Sequence, residues 1–193
     1  MPSLNRKLLE SGAVQVAAGP TARLPERILQ FGEGNFLRAF VDWMVNEMNR
    51  KGLFNGSVVA VQPIEQGLAE LVNAQDGCYT VLLRGMQNGQ VVDRREIVTA
   101  ISRVLNPYRQ WPEYLACAKN PDLRFIVSNT TEAGIAYKPE AKPQGSCPES
   151  FPAKVAALLL ARFEAFSGAK TAGMVVIPCE LIENNGSALR EIV

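Results

Sequence analysis

Two hydrophobic periods alternate along this chain. Short, nearly continuous apolar runs at residues 28–31, 57–62, 124–129 and 173–178 predict strands covered on both faces. Between them, apolar residues recur at helical spacing. Phe36, Leu37, Phe40, Val41, Met44, Val45 and Met48 predict an amphipathic helix whose wide apolar face a sheet would cover. Residues 65–74 and 113–119 predict shorter helices. Ser150-Phe151-Pro152 opens another, with Val155, Leu158, Leu159, Phe163 and Phe166 on its buried side. Residues 78–83 and 90–101 alternate around Asn88-Gly89, the signature of an antiparallel hairpin. Strand, helix and strand in this order predict an α/β fold: a Rossmann-type, mostly parallel sheet with helices on both faces and an antiparallel hairpin excursion.

Domain limits follow from the same pattern. Residues 1–27 carry Pro2, Gly12, Gly19, Pro20 and Pro25 around one short helical run near residues 4–9, and read as an approach segment. Residues 28–193 read as the domain proper. A last helix begins near Ser187 and still presents Leu189, Ile192 and Val193 at the end, so a piece of a longer protein is expected. Residues 137–147, with Pro139, Pro143 and Gly145, predict a loop lying over a ligand or across the surface.

Charge and composition narrow the chemistry. With 193 residues the chain can bury roughly 70% of the surface its unfolded form exposes, enough for one core without staples. Lys and Arg number 20 against 19 Asp and Glu, which leaves no electrostatic footprint for nucleic acid or an anionic membrane. Cys78, Cys117, Cys147 and Cys179 stand far apart and read as free thiols, with no metal site among them. No apolar run reaches bilayer length, and a cytoplasmic location is expected. The chain has no histidine, which removes Ser-His-Asp and Cys-His systems and histidine proton shuttles. Acid–base work falls to Lys, a carboxylate, Tyr or Cys, or to groups outside this chain.

Candidate chemistry gathers where the strands end. Gly32 and Gly34 follow the first strand and precede the helix, so the backbone can turn sharply and a phosphate can approach without meeting a Cβ. The motif is GxG with Leu37 where a third glycine usually stands. The second strand ends on Gln62, where a dinucleotide site usually carries an acidic ribose ligand; a neutral Gln can still hydrogen-bond a ribose. No Arg is close in sequence to welcome a 2′-phosphate, which favours NAD over NADP. Asn129, Thr130 and Thr131 close the 124–129 run with amide and hydroxyl groups able to hold a ribose, a carboxamide or a substrate hydroxyl. The glycine turn alone also fits an S-adenosylmethionine-binding methyltransferase-like domain, or an assembly module that keeps the fold without a ligand.

Four stretches in order carry a resemblance: residues 31–40 (FGEGNFLRAF), 128–132 (SNTTE), 150–154 (SFPAK) and 178–186 (PCELIENNG). Over residues 25–193 the chain resembles the polyol-type long-chain mannitol dehydrogenase family. The resemblance implies an NAD-dependent oxidoreductase that interconverts D-tagaturonate and D-altronate by hydride transfer. It implies that Gly32, Gly34, Asn35 and Phe36 form the dinucleotide turn and that Asn129 and Thr130 lie beside the nicotinamide. Asn185 falls on an Asn-Gly shared by the family. Glu180 stands near the place where mannitol enzymes carry an Asp-Asn after the Cys, and both residues are expected near a sugar-acid substrate. The family's catalytic Lys, in a Lys…Asn…His motif, belongs to a second, helical domain. No catalytic residue is therefore expected in this chain, Lys154 included, and its partner is expected to be that C-terminal domain.

Overall fold

Residues buried on both faces pair side by side in the strands Glu26–Phe31, Ser57–Val61 and Phe125–Ser128. Val175, Val176 and Ile177 of the expected 173–178 strand stay exposed, because that strand lies at the sheet edge. In the computed structural model, which describes residues 3–140 and 145–193, the chain runs through α1 (Arg6–Glu10), β1 (Ala17–Ala18), β2 (Glu26–Phe31), α2 (Asn35–Ala39), α3 (Val41–Arg50) and β3 (Ser57–Val61). It continues through α4 (Ala69–Asn73), β4 (Tyr79–Gln87), β5 (Gln90–Val98), β6 (Ile101–Leu105), α5 (Trp111–Ala116), β7 (Phe125–Ser128), α6 (Phe151–Ala165), β8 (Val175–Pro178) and α7 (Asn185–Ile192). Five strands form one sheet in the order β6-β3-β2-β7-β8, every neighbouring pair parallel. The winding reverses at β2, whose neighbours are β3 on one side and β7 on the other.

Alternation along the strands sorts side chains into two cores. Leu29, Phe31, Val59, Val61 and Ile126 meet α5, α6 and α7 through Tyr114, Phe151, Leu158 and Leu189. Ile28, Val58, Ala60 and Val127 meet the opposite layer through Leu37, Val45 and Val72, with Tyr79, Val81 and Val98 of the hairpin closing that side. Ser150 caps α6 by accepting from the Ala153 N–H, and Pro152 occupies the first turn, as the sequence predicts. Arg162 fixes the far end of α6, its guanidinium donating to the carbonyls of Ala118, Asn120, Leu123 and Ala172.

Several elements depart from the pattern. The expected helix over 36–48 breaks at Phe40 (φ −116°, ψ −74°) into α2 and α3. Leu37 and Val45 are buried, but Phe36, Phe40, Met44 and Met48 stay exposed, and Asp42 and Asn46 turn inward in their place. The 90–101 run is two strands: β5 pairs with β4 around Asn88-Gly89, and β6 leaves for the edge of the parallel sheet. Of the predicted 65–74 helix only residues 69–73 form, and Phe163 faces outward on α6.

The first 27 residues are built in. Ala17 and Ala18 pair with β5, while buried Arg6 donates to the carbonyls of Thr21 and Thr99 at 2.8 and 2.7 Å. The expected 137–147 loop falls partly on residues 141–144, outside the described residues.

Candidate cofactor site

Open α/β sheets take their ligands beyond the strand ends where the winding reverses, which here means the ends of β2 and β7. Two loops meet there. The Gly32–Gly34 turn leaves β2, and Asn129–Thr131 leaves β7; the Asn129 N–H donates to the Phe31 carbonyl at 3.0 Å. Gly32 has φ +116°, and a Cβ on it would sit 3.1 Å from the Asn129 carbonyl oxygen and 3.0 Å from Leu37. Only glycine fits there. Gly34 differs: a Cβ on it would meet nothing within 4 Å, so that side of the turn is open. No side chain caps α2 at Gly34, leaving the first helical N–H groups unclaimed by the protein's own side chains. Asn35 and Phe36 are exposed beside them, Asn35 Oδ1 accepting from Arg38.

The β7 loop is held from below. Buried Glu180 accepts from the Thr130 N–H at 3.0 Å, from Thr130 Oγ1 and Ser128 Oγ at 3.1 Å each, and from Asn185 Nδ2 at 3.1 Å. Asn129 Nδ2 donates to the Cys179 carbonyl at 2.8 Å. These bonds lock the ends of β7 and β8 together. Thr131 sits at φ +77°, an uncommon place for a β-branched residue, in the loop that leaves β7.

The sequence-derived site is thereby sorted. Gly32 and Asn129 lie against each other, with Gly34, Asn35 and Phe36 following on the turn into α2 and Thr130 following on the β7 loop. Gln62 has its amide engaged within its own loop: the side chain is buried, donating to the carbonyls of Ile64 and Glu65 at 2.9 and 2.7 Å and accepting from the Ala69 N–H at 3.2 Å, bonds that shape the β3–α4 loop. Glu180 and Asn185 likewise form a support beneath Thr130, with four donors on the carboxylate. Lys154 is fully buried, its Nζ donating to Tyr108 Oη at 3.1 Å and the Glu149 carbonyl at 2.7 Å, and serves packing.

Three features lay beyond the pattern of residues. Glu33, inside the glycine turn, is buried and accepts from the Leu68 N–H at 3.1 Å, tying the turn to the β3–α4 loop. Gln30 and Asp42 pair beneath that turn. Beyond β3 and β6 a polar cavity of about 450 Å³ is lined by Gln62, Glu65, Gln66, Gly67, Glu70 and Arg109 among others. Arg109, far along the chain from Gln62, thus does lie in this region, its Nη1 3.2 Å from Glu70. Only the glycine spacing and the polar strand ends gave a signal for any of this. Among the described residues no group of three or more His, Cys, Asp or Glu is placed to hold a metal, and no helix is long and apolar enough to cross a membrane.

Residues 26–193 match the family described as the mannitol dehydrogenase Rossmann domain. The chain belongs to that family. It is 49% identical over 181 residues to an altronate oxidoreductase of Bacteroides thetaiotaomicron, covering 94% of this chain and 38% of that protein. It is 52% identical over 169 residues to the altronate oxidoreductase of Phocaeicola vulgatus, covering 88% and 35% respectively. The chain thus spans little more than a third of these relatives. Among solved structures, Pseudomonas fluorescens mannitol 2-dehydrogenase, a ternary complex with NAD and D-mannitol, superposes with a TM-score of 0.79 at 18% identity, over 99% of this chain and 41% of that one. A substrate-free D-sorbitol dehydrogenase superposes with a TM-score of 0.76 at 21% identity, over 98% and 41%. At that identity the superpositions establish the fold, and this mannitol dehydrogenase family domain has the Rossmann order expected from its strand pattern.

Proposed function

We propose that this domain binds NAD for an oxidoreductase that interconverts D-tagaturonate and D-altronate. The observation that carries the reading is the open, uncapped Gly34 turn at the sheet's reversal point, in a chain about half identical to altronate oxidoreductases. Gly34, Asn35 and Phe36 receive the pyrophosphate, and Asn129 and Thr130 border the nicotinamide end. Glu65 and Glu70 line the cavity on the adenosine side and disfavour a 2′-phosphate, while Arg109 is engaged by Glu70.

When bound, the nicotinamide supplies or accepts the hydride. This chain's residues bind and orient it, and the acid–base catalyst is not among them. That group, and most of the sugar-acid pocket, comes from the remaining polypeptide that the relatives possess. The same remainder covers the apolar groove of about 530 Å³ lined by Met44, Met48, Phe54, Phe125, Val127 and Ile177 among others, which accounts for the exposed Met44 and Met48 of α3. Four free thiols and a nicotinamide cofactor agree with a cytoplasmic enzyme.

Calorimetric titration with NADH, NADPH and S-adenosylmethionine tests the reading. Saturable binding of NADH, tighter than that of the other two, is expected. Tighter binding of NADPH or S-adenosylmethionine, or no saturation with NADH, would overturn it.

A further inference from the structure

Beneath the glycine turn lies a buried pair that the binding reaction does not itself use. Gln30 and Asp42 are both fully buried. Gln30 Nε2 donates to the Gly32 carbonyl at 3.1 Å and to Asp42 Oδ2 at 3.2 Å. The bond to a carbonyl fixes the amide's orientation, because only nitrogen can donate there. Its other atom, Oε1, can only accept, and it is buried without any partner; so is Asp42 Oδ1. Two orphaned acceptors therefore belong to two groups already in contact. Each would be costly to leave unmet.

One proton resolves both. We infer that Asp42 is held as a neutral carboxylic acid whose Oδ1 proton is donated to Gln30 Oε1, and that this acid–amide pair is the positioning element of the Gly32–Gly34 turn. The pair then makes two antiparallel bonds, Nε2–H to Oδ2 and Oδ1–H to Oε1, and Gln30 keeps its second N–H on the Gly32 carbonyl. Loss of the proton leaves a carboxylate oxygen beside an amide oxygen and loosens the group that holds the turn.

The surroundings agree. The titratable and charged groups facing Asp42 are Arg38 of α2 and Tyr79 of β4, with neutral Gln30 on β2. Tyr79 Oη lies 3.4 Å from Asp42 Oδ2 and bonds the Arg38 carbonyl at 2.8 Å, while the Arg38 guanidinium rests over the Tyr79 ring. Burial raises the Asp42 pKa from 3.8 to about 7, against the pull of the Gln30 and Tyr79 hydrogen bonds and the Arg38 charge. The sign follows: an unfolded Asp releases its proton near 3.8 while the folded one keeps it to about 7. Stability contributed by the neutral acid is therefore whole below the lower value and falls as pH rises through the higher.

The role in cofactor binding rests on the NAD reading; the protonation does not. Carboxyl-carbon NMR of the chain, with the Asp42 signal assigned by its loss in Asp42→Asn, should show titration near neutrality without cofactor. Titration below about pH 5 would overturn the neutral acid. NADH affinity should fall about fivefold or more in the wild type between about pH 6 and pH 8.5, and hold steady in Asp42→Asn, whose amide reproduces both bonds without titrating. An equal fall in both proteins, or none in either, would overturn the positioning role. Failure of both proteins to bind NADH would overturn the cofactor reading and the positioning role with it, while the carboxyl titration would still decide the protonation.

Discussion

Two carboxyl groups lie buried beneath the loops that leave β2 and β7, and they are supported in opposite ways. Glu180, under Asn129–Thr131, meets four donors that satisfy both of its oxygens. Asp42, under Gly32–Gly34, meets Gln30 and a long contact from Tyr79, and keeps one oxygen without a donor. Removing a carboxylate from water is tolerable when donors replace the water, and otherwise a proton must neutralise it. The number of donors decides which remedy applies. The β7 loop is thus braced by charge-assisted hydrogen bonds, and the glycine turn by a neutral pair.

The comparison is broken most severely at Glu180. Glu180→Ala should destabilise the fold by about 3 kcal/mol or more, because it strands the Ser128 hydroxyl and Thr130 N–H in a buried place. Urea denaturation reads this directly, and a loss below about 1 kcal/mol would show the clamp to be dispensable.

The two glycines come next. Gly32→Ala meets both a positive φ and the Asn129 carbonyl, so a loss of about 2 kcal/mol in stability should accompany the loss of NADH binding. Gly34→Ala meets nothing within the protein, and should change stability by less than about 0.5 kcal/mol. Its NADH affinity should nevertheless drop about tenfold or more, the Cβ now standing where the phosphate approaches. Equal effects of the two substitutions on stability would remove the distinction between a structural and a ligand-facing glycine.

The smallest effect lies away from these loops. Arg103 holds Glu26 through two bonds of 2.9 Å, and although burial alone would raise the Glu26 pKa, these bonds and the charge bring it below 4.5. Its share of stability is present above that value and is lost as pH falls through the lowered one. The pair is partly exposed, so Arg103→Gln should remove no more than about 1 kcal/mol of the acid dependence. Denaturation midpoints at neutral and acid pH measure it.

How legible the molecule was depends on where each residue's partners sit. Strands β3 and β7 could be read directly, since unbroken apolar runs have few other homes. β6 could not: Ser102 and Arg103 interrupt its pattern, and the Glu26 that accommodates both is distant in sequence. The apolar stripe Phe36, Phe40, Met44 and Met48 misled because hydrophobic spacing shows that a face wants cover without showing what covers it. Asp42 and Asn46 take the inner face because Gln30 and Thr99 receive them. Gly32 and Gly34 were legible as a strand-to-helix turn, and Asn129 and Thr130 as a polar strand end. Gln62 and Glu180 were visible as residues, but the bonds that occupy them come from folding the 64–69 loop and the β7 end around them.

We propose that the Gly34 turn and the β7 loop together hold the dinucleotide. Amide NMR of the labelled chain titrated with NADH tests it most directly. The largest shifts should fall on Gly34, Asn35, Phe36, Asn129 and Thr130. Saturable NADH binding whose shifts cluster elsewhere and leave these five amides unmoved would contradict it.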